Sequence, residues 1–278
     1  MSEMTFGSVE LAFAYDELSD PQFTHGKELI ALLGIGRRDR VLDIGCGTGR
    51  LAAFAVQHVG AHARIVGIDP APPRIEVAQQ RRDPRLEFRI GQAQDLSQFP
   101  DATFDVAYMN SVLNWIDDRP KALGEAYRVL KPRGRLGIGT TVRDRPNQLR
   151  LLERQAWEAA RGAGDNPTVE ESPGSSCERG SRCAATAAEI RAMLEDAGFV
   201  ARMLEVRTFV SVFRDVAQII DFLQATTYGE LAAGDRVGYY ASFRDAMEAL
   251  LAGEYADRVS SDGIRLERYI LLAIADKR

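Results

Sequence analysis

The sequence is short of several things, and each shortage excludes a class of protein. Only three cysteines occur among 278 residues, Cys46, Cys177 and Cys183. So small and odd a number is not a disulfide scaffold. No run approaches the roughly 18 consecutive apolar residues of a membrane-spanning helix, and the longest, 269–275, is strand-sized. The N-terminus M-S-E-M-T-F-G lacks a basic segment followed by an apolar one, so no signal peptide is expected and the default location is cytoplasmic. Basic charge is scarce as well, with a net charge of -5. The groups Arg37, Arg38 and Arg40, then Arg81, Arg82 and Arg85, then Lys131, Arg133 and Arg135 are interrupted by acids, glycines or prolines. They read as solvated turns rather than a nucleic-acid face.

What is present is an ordinary globular composition, 45% hydrophobic and 27% charged, on a chain long enough for one main core with extra helices. From about 40 to 140 short β-type runs alternate with helical periodicity, the rhythm of βαβ units and a parallel sheet. Strands are expected at 41–44, 64–69, 85–90, 104–109 and 135–140. A helix over 121–130 puts Leu123, Ala126, Tyr127 and Leu130 on one face and stops at K-P-R-G. Further on, 147–160 is helical, and the following G-A-G-D-N-P-T-V-E-E-S-P-G-S-S-C-E-R-G-S-R-C is a loop-like candidate lid. T-A-A-E at 186–189 is a capping box that opens another helix, closed by Gly198. Two last strands follow, 200–212 and 266–275. Between them, helical patterns over 212–223 and 240–251 form an insertion too long for a hairpin.

The segment V-L-D-I-G-C-G-T-G-R at 41–50 joins the first strand to a helix. In open α/β sheets such a turn faces the ligand crevice. A phosphate-binding P-loop is excluded because no Gly-Lys-Ser/Thr ending follows. A dinucleotide turn wants its third glycine one place later, where Arg50 stands. Asp43, two residues before the first glycine, repels a pyrophosphate but favours an ammonium group, while the helix N-terminus still offers N–H donors to a carboxylate. A zwitterionic amino acid suits both. Asp69, ending the second strand, is placed to take both hydroxyls of a ribose.

Together V-L-D-I-G-C-G-T-G, G-I-D-P at 67–70, G-Q-A-Q-D-L at 91–96, F-D-V-A-Y-M-N-S-V-L-N-W at 104–115 and R-V-L-K-P-R-G-R-L at 128–136 resemble the class I S-adenosylmethionine-dependent methyltransferases in order and spacing. The resemblance implies a Rossmann-like doubly wound α/β fold, a seven-stranded sheet with its last strand antiparallel and a helical cover. It divides the chain into an N-terminal helical cap, 1–37, and a methyltransferase domain, 38–278, with insertions at about 141–188 and 212–262. It implies that Asp43 and the backbone of Gly45 and Gly47 hold the methionyl part of the cofactor, with Cys46 in the same turn playing no chemical role. By the same resemblance Asp69 holds the ribose, Pro70 packs near the adenine, Gln92 and Ala93 meet its edge, and Asn110 lies beneath the sulfonium. Tyr15 closes over the cofactor. Gln92 departs from the usual aspartate, and Arg133 from a frequent glycine.

Methyl transfer from a sulfonium mainly requires orientation, and a general base helps only when the nucleophile must lose a proton. His25, in the N-terminal region, and Tyr15 are the candidates for such a role. His58 and His62 fall at the far end of a helix, away from the site. Asn114 and Trp115 are candidate substrate walls, and no metal site is expected, since Cys177 and Cys183 lack metal-finger spacing. The expected function is O- or N-methylation of a small molecule, producing S-adenosylhomocysteine, with no nucleic-acid or membrane partner, by a monomer or homodimer. Alternatives are methylation of a carboxylate of the trans-aconitate or malonyl-carrier-protein type, for which Arg143, Arg145, Arg179 and Arg182 are available arginines, and thiol-assisted arsenite methylation through Cys177 and Cys183. A nicotinamide-dependent oxidoreductase, disfavoured by Asp43 and Arg50, and a non-catalytic methyltransferase-like partner protein complete the set.

Overall fold

Strands β1, Arg40–Ile44, and β2, Arg64–Asp69, are short apolar runs buried from their second residue onward. Strands covered on both faces have this composition. In the computed structural model, which describes residues 7–58, 62–162, 184–226 and 237–278, they pair in parallel, with Val41 opposite Ile65 and Asp43 opposite Gly67. Strand β3, Leu86–Ile90, lies parallel outside β2, and β4, Phe104–Asn110, lies parallel to β1 on its other side. Strand β5, Leu130–Thr141, continues the sheet beside β4. The long strands β6, Phe199–Phe213, and β8, Gly263–Lys277, pair antiparallel, and β8 inserts between β5 and β6. The order β3-β2-β1-β4-β5-β8-β6 reverses direction between β1 and β4, which sets the ligand crevice at their carboxyl ends. A two-residue strand, β7, Val259–Ser260, folds back on β8 and makes the sheet eight-stranded rather than seven.

Two apolar layers cover the sheet. On one face α5, Arg119–Val129, and α7, Ala187–Asp196, bury Leu123, Ala126, Ile190 and Leu194 with Leu42, Ile44 and Met109. On the other, α2, Asp20–Leu33, α3, Arg50–His58, and α4, Pro72–Ala78, bury Leu29, Leu33, Ala52 and Ile75 with Val41, Ile65 and Tyr108. Helix α1, Val9–Leu18, precedes α2. A third apolar cluster lies where β6 and β8 run past the end of β5. There α6, Gln148–Gly162, α8, Val216–Thr226, and α9, Val237–Ala252, join Leu152, Ile220, Phe243 and Met247 to Leu266.

The differences from the sequence expectations have local causes. The helix expected from 212 starts at Val216 because Val212 and Phe213 stay paired to β8 and Asp215 accepts the Gln218 N–H, capping the helix there. The helix expected over 121–130 spans Arg119–Val129, capped by the Asp118 carboxylate at the Lys121 N–H, and Leu130 already belongs to β5. Arg133, noted where glycine is frequent, has φ +66°, a left-handed conformation that glycine adopts without steric cost. The capping box forms as expected, with the Thr186 hydroxyl and the Glu189 carboxylate each accepting the other's backbone N–H.

Candidate cofactor and acceptor site

The glycine turn is shaped by close approach. Gly45 has φ +76°, and a Cβ there would sit 2.3 Å from Val112 Cγ2, so any larger residue strains the backbone and collides with the wall that follows β4. The Gly45 and Cys46 N–H groups donate to the Ile68 carbonyl, tying the turn to the end of β2. Asp43 is buried beneath it and accepts the Tyr108 hydroxyl at 2.8 Å. Burial pushes its carboxyl up to about 7, opposed by the Tyr108 hydrogen bond and reinforced by Asp69. Asp69 accepts the Gly47 N–H on Oδ2 and the Ala71 N–H on Oδ1, both at 2.9 Å, which leaves a lone pair on each oxygen for a ligand hydroxyl. Its carboxyl is also raised, first by burial, against the pull of Arg74 and the two N–H groups.

A small cavity opens above the turn between Asp43, Gly45, Cys46, Gln22 and Asn110. It meets a larger cleft, with Tyr15, Gln22, Gly45 and Asn110 in the walls of both. The cleft runs past Asp69, Pro70 and Arg74 on one side and past His25, Ser111, Asn114 and Arg268 on the other. The lid is α1 with the start of α2. The Tyr15 ring lies against Gly47 and under the Arg74 guanidinium, 4.1 Å from ring centroid to Cζ. Asp16 accepts from the Thr48 hydroxyl and from Arg81, and Arg50 donates to the Asp16 carbonyl and pairs with Asp20.

Of the residues singled out in the sequence, Tyr15, Asp43, Gly45, Cys46, Asp69, Pro70 and Asn110 line one or both cavities, and Gly47 lies against Tyr15 and Asp69. Asn114 and the half-exposed Trp115 line the cleft, and Trp115 is not part of the core. Gln92 and Ala93 line neither cavity. The Gln92–Asp95 bridge holds a turn in which Gln92 is exposed and Ala93 packs into the core. Arg143 is exposed and paired with Glu189, and Arg145 lies over Tyr269, so neither supplies the cleft with its positive charge. The arginines that line the cleft are Arg74, Arg150 and Arg268. Cys177, Cys183, Arg179 and Arg182 lie outside the described residues.

His25 lines the cleft. Its Nδ1 lies 3.3 Å from Arg268 Nη1 and its Nε2 3.0 Å from Ser111 Oγ. A guanidinium can only donate, so Nδ1 is the acceptor and Nε2 carries the proton. Burial and then the Arg268 charge push the imidazole down to about 3. Burial raises the Tyr15 hydroxyl, which keeps its proton on. Sequence reasoning missed Ser111 and Arg268. Arg268 was accessible from strand alternation, since Ile264, Leu266, Arg268, Ile270 and Leu272 share one face of β8 and all are buried. Ser111 carries no such signal, and its φ of +62° is visible only in the fold.

Residues 42–138 match the family model described as a methyltransferase domain. The trans-aconitate 2-methyltransferase of Methylobacterium radiotolerans is 27% identical over 91% of this chain and 92% of that protein. Over residues 42–138 the chain is similar to the class I S-adenosylmethionine-dependent methyltransferases. The trans-aconitate 2-methyltransferase of Deinococcus radiodurans is 30% identical over 52% of the chain and 54% of that protein, so the match spans about half of this relative. Among solved structures, the YcgJ protein of Bacillus subtilis shares the fold, with a TM-score of 0.60 at 19% identity over 92% of this chain and 99% of that one. The motifs that carried the sequence resemblance at 67–70, 91–96 and 104–115 fall inside the matched methyltransferase span. No helix among the described residues is long and apolar enough to cross a membrane.

Proposed function

We propose that the protein transfers the methyl group of S-adenosylmethionine to an oxygen or nitrogen of a small-molecule acceptor and releases S-adenosylhomocysteine. The observation that carries this is the set of acceptors around the smaller cavity. The Asp43 carboxylate sits at its floor, and Gln22 Oε1 and Asn110 Oδ1 in its wall are buried with no hydrogen-bond partner among the described residues. Three acceptor oxygens carried by residues that line one cavity fit a group that can only donate, such as the ammonium of an amino acid. Asp69, with a lone pair left on each oxygen, fits the ribose. The cofactor would supply a methyl group on a positively charged sulfur. The chain's own part is then to bind, orient and exclude water, and orientation alone accounts for about 7 to 11 kcal/mol of barrier.

Support for this reading comes from the family model and from relatives named for methyl transfer to different acceptors. Its test is binding followed by turnover. S-adenosylhomocysteine at about a hundredfold over its dissociation constant stabilises the protein by about 2.7 kcal/mol, seen as a raised Tm. Stabilisation by NADH in its place would return the nicotinamide alternative. Binding without release of S-adenosylhomocysteine across a metabolite screen would favour the non-catalytic partner. The arsenite alternative rests on Cys177 and Cys183, and a Cys177→Ser, Cys183→Ser variant that keeps turnover of the acceptor found in that screen ends it.

A further inference from the structure

The acceptor end of the cleft holds a buried cation that no described carboxylate neutralises. Arg268 is 6% exposed. Its Nε donates to Ser211 Oγ at 2.6 Å, its Nη2 to the Pro21 carbonyl at 2.8 Å, and its Nη1 to His25 Nδ1 at 3.3 Å. Those contacts use three of five guanidinium N–H groups and are all to neutral partners, and the other two have no acceptor among the described residues. A charge desolvated without a counter-charge costs several kcal/mol. Burial alone lowers the Arg268 pKa to about 10, which leaves the group charged at neutral pH.

The hydrogen bonds leading from this charge run one way. Arg268 donates to His25 Nδ1, which places the imidazole proton on Nε2, which donates to Ser111 Oγ at 3.0 Å. The Ser111 hydroxyl is therefore left with a proton to give, and it has no acceptor among the described residues other than the cleft it lines. Its backbone holds φ +62° with its N–H on the Gly139 carbonyl. A non-glycine residue kept in this conformation beside a ligand cleft is a strained position that the surroundings must enforce.

We infer that Arg268, His25 and Ser111 form an anion subsite that takes a carboxylate of the methyl acceptor, with the Ser111 hydroxyl and the two spare Arg268 N–H groups as donors. The inference rests on the methyltransferase reading above and deepens it by naming the acceptor class, an organic acid. A carboxylate fits better than a phosphate because the subsite offers one unneutralised charge. Arg150, another guanidinium in the cleft wall, is paired with Glu153 at 2.6 Å. His25 is a positioning residue here: it fixes the direction of the Ser111 proton and does not touch the ligand.

The test is calorimetric titration of the full chain, with and without saturating S-adenosylhomocysteine. The probes are glutarate and hexanoate, their methyl esters, and phenyl phosphate. Both carboxylates bind and the esters do not. Ser111→Gly, which the positive φ accommodates, weakens the carboxylates by about tenfold, the loss of one hydrogen bond to a charged group, while S-adenosylhomocysteine binding is retained. His25→Gln, which keeps a donor and an acceptor, preserves the carboxylate preference that His25→Leu removes. Equal binding of esters and acids, tighter binding of phenyl phosphate, an unaffected Ser111→Gly variant, or no carboxylate binding at all each overturns the subsite. Failure of S-adenosylhomocysteine to bind, with the carboxylate preference intact, overturns the methyltransferase reading instead and leaves the subsite standing.

Discussion

Asp43 carries opposite demands in the empty and the loaded site. Burial, reinforced by Asp69 and opposed by the Tyr108 hydroxyl, holds its carboxyl at about 7, so below that pH the ligand-free protein keeps it protonated. An ammonium beside it favours the ionised form. Binding of S-adenosylhomocysteine below about pH 7 is then coupled to release of one proton, so its affinity rises up to tenfold per pH unit and levels off above. Calorimetry in two buffers of different ionisation enthalpy counts that proton. A flat affinity from about pH 5.5 to 8 would place the ammonium elsewhere. Asp43→Asn removes the slope and weakens binding by about tenfold or more, the loss of a charge-assisted contact. Asp69→Ala weakens it as well, and its second effect is structural, because the Gly47 N–H loses its acceptor.

At the scale of elements, α1 covers the glycine turn and is tied to it by polar contacts at Asp16. The Asp16 side chain reaches Thr48 in the glycine turn and Arg81 beyond α4, while Arg50 grips the Asp16 carbonyl and Asp20. The Asp16 and Arg81 side chains are each about a quarter exposed, so the pair adds at most about 1 kcal/mol to folding. Asp16→Ala should therefore leave Tm nearly unchanged and speed S-adenosylhomocysteine dissociation by about tenfold in stopped-flow release, one charge-assisted hydrogen bond's worth of lid closure. An unchanged release rate would mean that α1 does not gate the site. Thr186→Ala tests the other kind of device, a capping box that touches no ligand, and it costs about 1 kcal/mol in urea denaturation. Elements of both kinds were legible where local chemistry decides them. Short β-type runs located β1 to β6 and β8, and the threonine and glutamate three apart located α7. Boundaries were less legible where a partner strand decides, as at Phe213, which continues in β6 because Ile264 pairs with it. Among the cavity-lining residues, Asp43 and Asp69 were readable from their place at strand ends and Asn110 through the family resemblance. The Arg268, His25 and Ser111 chain was not, because its members are 243 and 86 residues apart in sequence and meet only when β8 inserts beside β5.

The molecule as a whole sums these buried charges into its response to pH, and two of them, His25 and Asp43, oppose each other. His25 has its folded pKa lowered to about 3, by burial and then by Arg268. Its neutral form contributes stability fully above the unfolded value of about 6.5, and that stability is lost as pH falls from there toward 3. Asp43 is raised to about 7, so its contribution is complete below the unfolded value of about 4 and is lost as pH rises toward 7. Between about pH 4.5 and 6.5 the unfolded chain gains one proton at His25 where the native chain has none, and lacks one at Asp43 where the native chain holds it. The two slopes cancel. Asp69, raised in the same direction as Asp43, adds to the Asp43 side. When an ammonium occupies the site and Asp43 ionises in the folded state, its slope disappears and that of His25 stands alone. The expected outcome is that S-adenosylhomocysteine-saturated protein loses about 1.4 kcal/mol per pH unit, relative to the free protein, as pH falls from about 6.5 to 4.5. Urea midpoints measured across that window with and without the ligand read the difference directly. His25→Gln removes the imidazole from both states, so the free variant becomes less stable with rising pH over the same range and the loaded variant becomes flat. Parallel curves for free and loaded wild type would mean that Asp43 keeps its proton when the ligand binds, and the ammonium assignment would fall with it.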